Sequence, residues 1–287
     1  MSAPLLHLVR TPVAPAALRI FAAHHGVLDD DLGYALHLAL RRRFGAAAPQ
    51  PWRLMPGRDS GPEMLLGYTG DPDALRAADP RAVDPGGRAR PEAPPDWEAE
   101  WRADEVAESA LAAVFPRAFE AKAMPPRFAP GAAYGFELRM RPVVRYGPRA
   151  GAARWAAGRP GSNAGGGSER DAFLAALEHR DLAGGGSESE PLDREPVYRA
   201  WLERRLGPAA ALLAFRLVAH RRIHTVRRLP SDATARRRVP GFAGPETVVD
   251  GELTVADPAA FAALLAGGVG RHGAFGFGML LLRPARR

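Results

Sequence analysis

Asp29 to Phe44, DDDLGYALHLALRRRF, opens on three aspartates, closes on three arginines and stops at Gly45. Acid in the first turn and base in the last complement the helix dipole, and a glycine just past the end terminates the spiral, so the stretch predicts one helix. At about 100° per residue, Leu32, Leu36, Leu40 and Phe44 fall on one apolar stripe, while Tyr34, His37 and Arg41 share an adjacent, partly polar ridge. A striped helix needs a sheet or another helix to cover it. Upstream, Leu5 to Val9 (LLHLV) reads as a strand ended by Thr11-Pro12. Downstream, Trp52 to Met55 and Met64 to Tyr68 read as two strands, with Pro56, Gly57 and Gly61 in the loop between them. A polar, Pro-rich loop from Asp71 to Pro95 then leads to a helix near Ala103 to Val114 and a last segment ending around Phe128. The sum is roughly βαββαβ.

The second half repeats that order. Tyr134 to Tyr146 (YGFELRMRPVVRY) alternates apolar and charged residues, the period of a half-buried strand, with Pro142 implying a bulge or an edge. Two GGGS stretches between Gly158 and Ser189 flank a short helical pattern, Asp171 to His179, and read as an insertion over about 158–190 on flexible connectors. Val197 to Leu206 is an amphipathic helix ended by Gly207-Pro208. Strands over Leu212 to Arg228, with interruptions, and Thr247 to Val255 follow, then a helix from Asp257-Pro258 to Ala266 and a closing strand, Met279 to Leu282. The expected fold class is α+β, two tandem ferredoxin-like (RRM-like) βαββαβ domains over 1–130 and 131–287. Sheets of this kind often bind single-stranded RNA through exposed aromatics, but neither half has an RNP1-like string, so the topology alone licenses no activity.

Composition narrows the field. No cysteine occurs, which removes disulfides, thiolate metal sites and a cysteine nucleophile together. No run of about 18 apolar residues is present, and prolines and polar residues interrupt Met1 to Pro15, so the expectation is a cytoplasmic protein with no membrane partner. The net charge of +7 favours a polyanionic partner, since each phosphate neutralised releases counterions. Lys122 is the only lysine, so that charge is carried by arginine, which grips phosphate with two parallel donors.

Tyr34, His37 and Arg41 suit RNA strand scission, in which a ribose 2′-OH attacks the neighbouring phosphorus. A base must take the 2′-OH proton, an acid must protonate the leaving 5′-oxygen, and donors must stabilise the phosphorane. Histidine can be base or acid near neutral pH, tyrosine donates better than it accepts, and arginine supplies charge. The scheme needs no metal and no cofactor, and His24-His25 lacks the spacing of ligands on one helix face. Helix geometry does not distinguish His37 from His7, His24, His220 or His224.

Gly267 to Gly278 (GGVGRHGAFGFG) holds six glycines. They let backbone N–H groups converge on a phosphate, or RNA approach the backbone closely. The G-x-G-x-x-G match at Gly268, Gly270 and Gly273 follows a helix and precedes a strand, the reverse of a dinucleotide fingerprint, and no G-K-[ST] makes a P-loop. With the residues after it, GVGRHGAFGFGMLLLRP, this stretch resembles the C-terminal glycine-rich signature of the CRISPR-associated repeat endoribonucleases of the type I-E Cascade system, the CasE/Cse3 family. Tyr34-Ala-Leu-His37 with Phe44 resembles that family's Y-x-L-H…F helix. Phe136 to Pro142 resembles its F-R-L-R-A-N-P strand, Trp201-Leu202 its A-W-L helix and Gly251 to Val255 its G-x-L-x-V strand. Glu137 and Arg141 depart from the pattern, standing where it has arginine and asparagine.

The resemblance implies an enzyme that cuts CRISPR precursor RNA at the 3′ base of each repeat hairpin, without metal, leaving a 2′,3′-cyclic phosphate and a 5′-hydroxyl. It implies His37 and Tyr34 as the catalytic pair, and a crRNA product kept by an enzyme that stays with the other Cascade subunits. Arg41, Arg139, Gly268, Gly270, Arg271, His272, Gly273 and the run Arg236, Arg237, Arg238 are then the candidate RNA contacts. The alternative is a non-catalytic subunit that binds the RNA hairpin.

Overall fold

A computed structural model describes residues 5–27, 32–57, 62–79, 105–147, 168–182, 191–225 and 242–285. The chain divides into two units, one gathering Met1–Pro126 and the short segment Gly273–Gly276, the other Arg127–His224, Phe242–His272 and Phe277–Arg287.

Unit 1 carries β1 (His7–Val13), α1 (Pro15–His24), α2 (Leu32–Phe44), β2 (Trp52–Met55), β3 (Glu63–Thr69), α3 (Pro72–Ala77), α4 (Glu105–Val114) and β4 (Glu120–Ala123). Its sheet order is β2-β3-β1-β4, with β1 antiparallel to both neighbours, the ferredoxin-like arrangement expected of βαββαβ. Strand β1 runs through Thr11-Pro12 instead of stopping there, and Pro12 pairs with Met64 of β3. β4 ends opposite Arg10, so Pro12 has a partner strand on one side only, where a missing donor is tolerated.

The striped helix forms as α2, its three opening aspartates lying outside the described residues. Leu36, Leu40 and Phe44 are buried as the stripe requires, and Phe44 meets Phe115 and Phe119 edge-on at 5.5 and 5.2 Å. Arg43, in the basic last turn, pairs with Asp79 at 3.3 Å, both side chains almost covered. Two helices are not among the elements the sequence points to. α1 starts on Pro15, whose fixed φ suits a first helical position even though it reads as a breaker. α3 lies at the head of the Pro-rich loop, where Asp71 accepts from Ala74 N at 2.8 Å and Pro72 follows. From residue 80 onward that loop lies outside the described residues.

Unit 2 carries β5 (Ala133–Met140), β6 (Val143–Tyr146), β7 (Ser168–Asp171), α5 (Ala172–Leu182), α6 (Arg194–Leu206), β8 (Ala210–Thr225), β9 (Phe242–Val255), α7 (Pro258–Gly267) and β10 (Leu280–Pro284). The sheet order β10-β5-β9-β8 repeats the first, strand for strand. The alternating stretch Tyr134 to Tyr146 breaks at Arg141-Pro142 into β5 and β6, and β6 leaves to pair with β7. Phe136, Leu138 and Met140 of β5 are fully buried, and the close pairing of β9 at Gly251 leaves no room for a side chain: a Cβ there would lie 2.0 Å from the Ala214 carbonyl oxygen.

Within the stretch read as a flexible insertion, residues 168–182 are part of this unit; the glycines of both GGGS stretches lie outside the described residues. Helix α5 is held down by four contacts. The Asp171 carboxylate accepts from Phe173 N at 2.9 Å and from the Tyr198 hydroxyl at 3.0 Å, Ala172 N donates to Pro142 O, and the Arg194 guanidinium lies 4.2 Å from the centre of the Phe173 ring. The glycine-rich sequence on either side hides a short element that buries Ala172, Phe173 and Ala175. Among the described residues, no helix is long and apolar enough to cross a membrane.

Candidate active site

Tyr34 and His37 stand three residues apart on α2, so one turn of helix places their rings on one side, with centroids 6.4 Å apart. Arg41 follows one turn on and donates from Nη1 to the carbonyl of Gly45 at 3.1 Å. The ridge is less polar in the fold than on a helical wheel, because an aromatic from the far end of the chain covers it. Gly273 to Phe275 form a single 3₁₀ turn, and Phe275 stacks on Tyr34 at 6.0 Å and 27° and lies 5.1 Å from the His37 ring. The turn is tied down by Trp52 at the head of β2, whose indole N–H donates to Ala274 O at 3.1 Å. Gly276, at φ +81°, lets the chain leave the turn in a conformation that a side chain disfavours.

Burial, and secondarily the charge of Arg41, pull the His37 imidazole down to about 4. Desolvation penalises the imidazolium, and a nearby cation repels it. At pH 7 the ring is therefore neutral and able to accept a proton, beside a phenol that can donate one.

Of the other sequence-derived contacts, Arg139, Gly268, Gly270, Arg271 and His272 lie in unit 2 and Gly273 in unit 1. Gly268 and Gly270 take φ +77° and +84°, and a Cβ on Gly270 would lie 2.9 Å from the Trp201 indole. Val269 N donates to Gly278 O and Gly278 N to Arg139 O, each at 2.8 Å, which closes the glycine-rich segment onto β5. Replacing Gly278 by alanine is expected to destabilise the protein by about 2 kcal/mol or more, read from urea unfolding. The residue sits at φ +81°, and its new Cβ would lie 2.6 Å from the Val269 carbonyl oxygen.

Arg271 and His272 both reach one carboxylate, Glu169 of β7. Arg271 Nε donates to Oε1 at 2.9 Å and His272 Nε2 to Oε2 at 3.0 Å. The His272 hydrogen bond is the main cause holding the Glu169 carboxyl below its usual range. His272 holds φ +67° without being glycine, and its side chain is mostly covered. Arg139 pairs with Glu246 at 2.7 Å and lies over the Phe277 ring at 4.3 Å. Arg236, Arg237 and Arg238 lie outside the described residues. Among the described residues, no three His, Asp or Glu side chains gather as metal ligands.

A family model described as "CRISPR associated protein" matches residues 6–284, nearly the whole chain. The chain belongs to that family. Two solved structures share the fold of this CRISPR-associated chain. A CRISPR endoribonuclease Cse3 bound to 19 nt RNA is 21% identical with a TM-score of 0.55, the match covering 98% of this chain and 100% of that one. Thermus thermophilus Cse3, bound to an RNA representing a pre-cleavage complex, is 22% identical with a TM-score of 0.52 over the same shares. No curated protein matches the chain.

Three residues of this CRISPR-associated chain touch the sequence-derived candidates or the glycine-rich stretch and carry no sequence signal of their own. Phe275 lies inside the glycine-rich stretch but reads there as turn filler. Trp52 reads as strand core, and Glu169 falls beside the GGGS segment. An acid followed by Arg170 and Asp171 gives no hint that its partners lie a hundred residues on.

Proposed function

We propose that this chain is a metal-independent endoribonuclease that cleaves CRISPR precursor RNA at the 3′ base of the repeat hairpin. The observation that carries the reading is the His37 and Tyr34 pair on α2, closed over by Phe275 of the glycine-rich segment, in a chain with the Cse3 fold. His37 takes the 2′-OH proton, the oxygen attacks the adjacent phosphorus in line, and the 5′-oxygen leaves with a proton from the Tyr34 hydroxyl, which the His37 imidazolium then restores. The products are a 2′,3′-cyclic phosphate and a 5′-hydroxyl. The Tyr34 hydroxyl and the Arg41 guanidinium are suited to the charge that builds on the phosphorane.

The neutral state of His37 supports its role as base, because no proton has to be removed before the reaction starts. The sign of the pH dependence follows. In the free enzyme, the basic form is lost only as pH falls toward about 4, so the acid limb of kcat/KM lies near 4 and not near the ordinary 6.5. Folded stability falls over the same window. As pH drops from 6.5 to 4 the unfolded chain takes up a proton that the buried ring refuses, and below 4 the difference is constant. An NMR titration of His37 with a midpoint at 6.5 would contradict this assignment.

Product retention follows from the arginine surplus, since an A-form stem is gripped mainly through phosphates and shape. We further propose that the enzyme stays on the crRNA together with other Cascade subunits. The test is a labelled repeat hairpin mixed with the purified chain, with products mapped on a denaturing gel and retention on a native one. One cut at the 3′ base, with the hairpin product still bound, is expected. The near-complete covering of Tyr34 favours the second reading, a binding-only subunit, which predicts a bound and intact hairpin.

A further inference from the structure

We propose that Phe275 is a positioning residue for the His37 and Tyr34 pair, its ring packed against both so that they meet a scissile phosphate in one fixed orientation. The inference rests on the cleavage reading above but concerns a residue outside the catalytic pair. Its geometry is that of a built support and not of a chance contact. The Phe275 ring is near-parallel to Tyr34 and tilted against His37, so either ring must push on it to turn. It is carried on a one-turn 3₁₀ segment, Gly273–Phe275, whose Gly276 N–H closes back onto Gly273 O at 3.4 Å. The carbonyl just before it, Ala274 O, is fixed by the Trp52 indole, and Trp52 is itself buried at the start of β2. The ring also packs against the buried cluster of unit 1, so the segment is anchored on two sides.

The chemistry explains why an aromatic serves here. An imidazole and a phenol on an exposed helix face sample several rotamers, and each misplaced rotamer costs rate, because proton transfer to an attacking hydroxyl needs hydrogen-bond distance and alignment. A flat ring restricts both side chains without offering a donor or acceptor that would compete for the 2′-OH. The ring, 5.1 Å from that of His37, is apolar, and the turn that bears it, Gly-Ala-Phe, brings no charge. Arg41 on α2 is the charged group that acts on the imidazole, and Tyr34 is its titratable neighbour.

Three variants test the proposal: Phe275→Ala, Phe275→Leu and Phe275→Tyr, each checked for folding by thermal unfolding. The readouts are the NMR titration of His37 in the free protein and the single-turnover cleavage rate and affinity for a repeat hairpin. In Phe275→Ala the His37 midpoint is expected to rise from about 4 toward 6.5, and the rate at pH 7 to fall on the order of tenfold, with affinity nearly unchanged. Phe275→Tyr, which keeps the ring, restores both, and Phe275→Leu falls between. A folded alanine or leucine variant with the wild-type midpoint and rate overturns the proposal, and so does an alanine variant that cuts faster, since the ring would then be a cover and not a support. Should the alanine variant fail to fold, the leucine variant decides. Failure of the wild-type chain to cut sinks the enzymatic reading instead, while the His37 midpoint still tests the packing.

Discussion

Replacing His37 by alanine is expected to lower the single-turnover rate of hairpin cleavage by about 10³-fold, the span that removal of a positioned general base covers. Binding of the hairpin should stay within about twofold of wild type, because the imidazole is neutral at pH 7 and contributes no charge to the phosphate contacts. The fold should survive. His37 is only partly buried at the rim of the unit 1 core, and Leu36, Leu40 and Phe44 carry the buried face of α2 without it. The split between rate and affinity is the informative part. A general loss of structure would weaken both, and a binding-only protein would show neither a rate nor a change in it.

The second large effect concerns stability. Trp201 of α6 is 3% exposed, donates its indole N–H to Val143 O at 3.0 Å, and lies under the glycine-rich segment, where a Cβ on Gly270 would touch it. Trp201→Ala therefore removes a large buried side chain, strands the Val143 carbonyl and opens a space beneath Gly270. The expected cost is about 3–5 kcal/mol in the urea transition of unit 2, typical of truncating a buried aromatic. Trp201→Phe keeps much of the volume and loses the hydrogen bond, and should cost about 1–2 kcal/mol. An alanine variant costing under about 1 kcal/mol would mean that the contact does not organise this unit. Because Trp201 supports the segment that runs on into the Phe275 turn, the alanine variant should also cleave slowly at temperatures where it remains folded.

How much of this was readable in the sequence depends on how local the determinant is. Helix α2 is legible because its stripe and its basic end lie within thirteen residues, and β2 matches its expected bounds, Trp52–Met55, residue for residue. α7 is legible from Asp257-Pro258, where the Asp257 side chain accepts from Ala259 N and Ala260 N. α1 is hidden because Pro15 signals a break as strongly as it signals a start. The 168–182 segment is hidden because its ordering partners, Pro142, Tyr198 and Arg194, are distant in sequence. Strand β1 extends past Thr11-Pro12 because tertiary pairing with β3 outweighs the local turn signal.

The site divides in the same way. The Tyr34 and His37 spacing is a helical fact and could be read directly. The low pKa of His37 and the near burial of Tyr34 could not, since burial is set by tertiary packing, and the ring packed against both comes from the other end of the chain. Arg139 and Arg271 illustrate the opposite limit. Their charge is plain in the sequence, whereas their pairing with Glu246 and Glu169 emerges only in the fold and sets what a phosphate would have to displace.

The proposed reaction is cleavage of RNA by 2′-OH attack, with this chain's own side chains as the catalytic groups. The direct measurement is cleavage of a labelled CRISPR repeat hairpin by the purified protein in excess EDTA, with the new ends identified by mass. A single cut at the 3′ base of the stem is expected at an undiminished rate, yielding a 2′,3′-cyclic phosphate and a 5′-hydroxyl. A reaction that stops in EDTA, or one that leaves a 3′-hydroxyl and a 5′-phosphate, would contradict it.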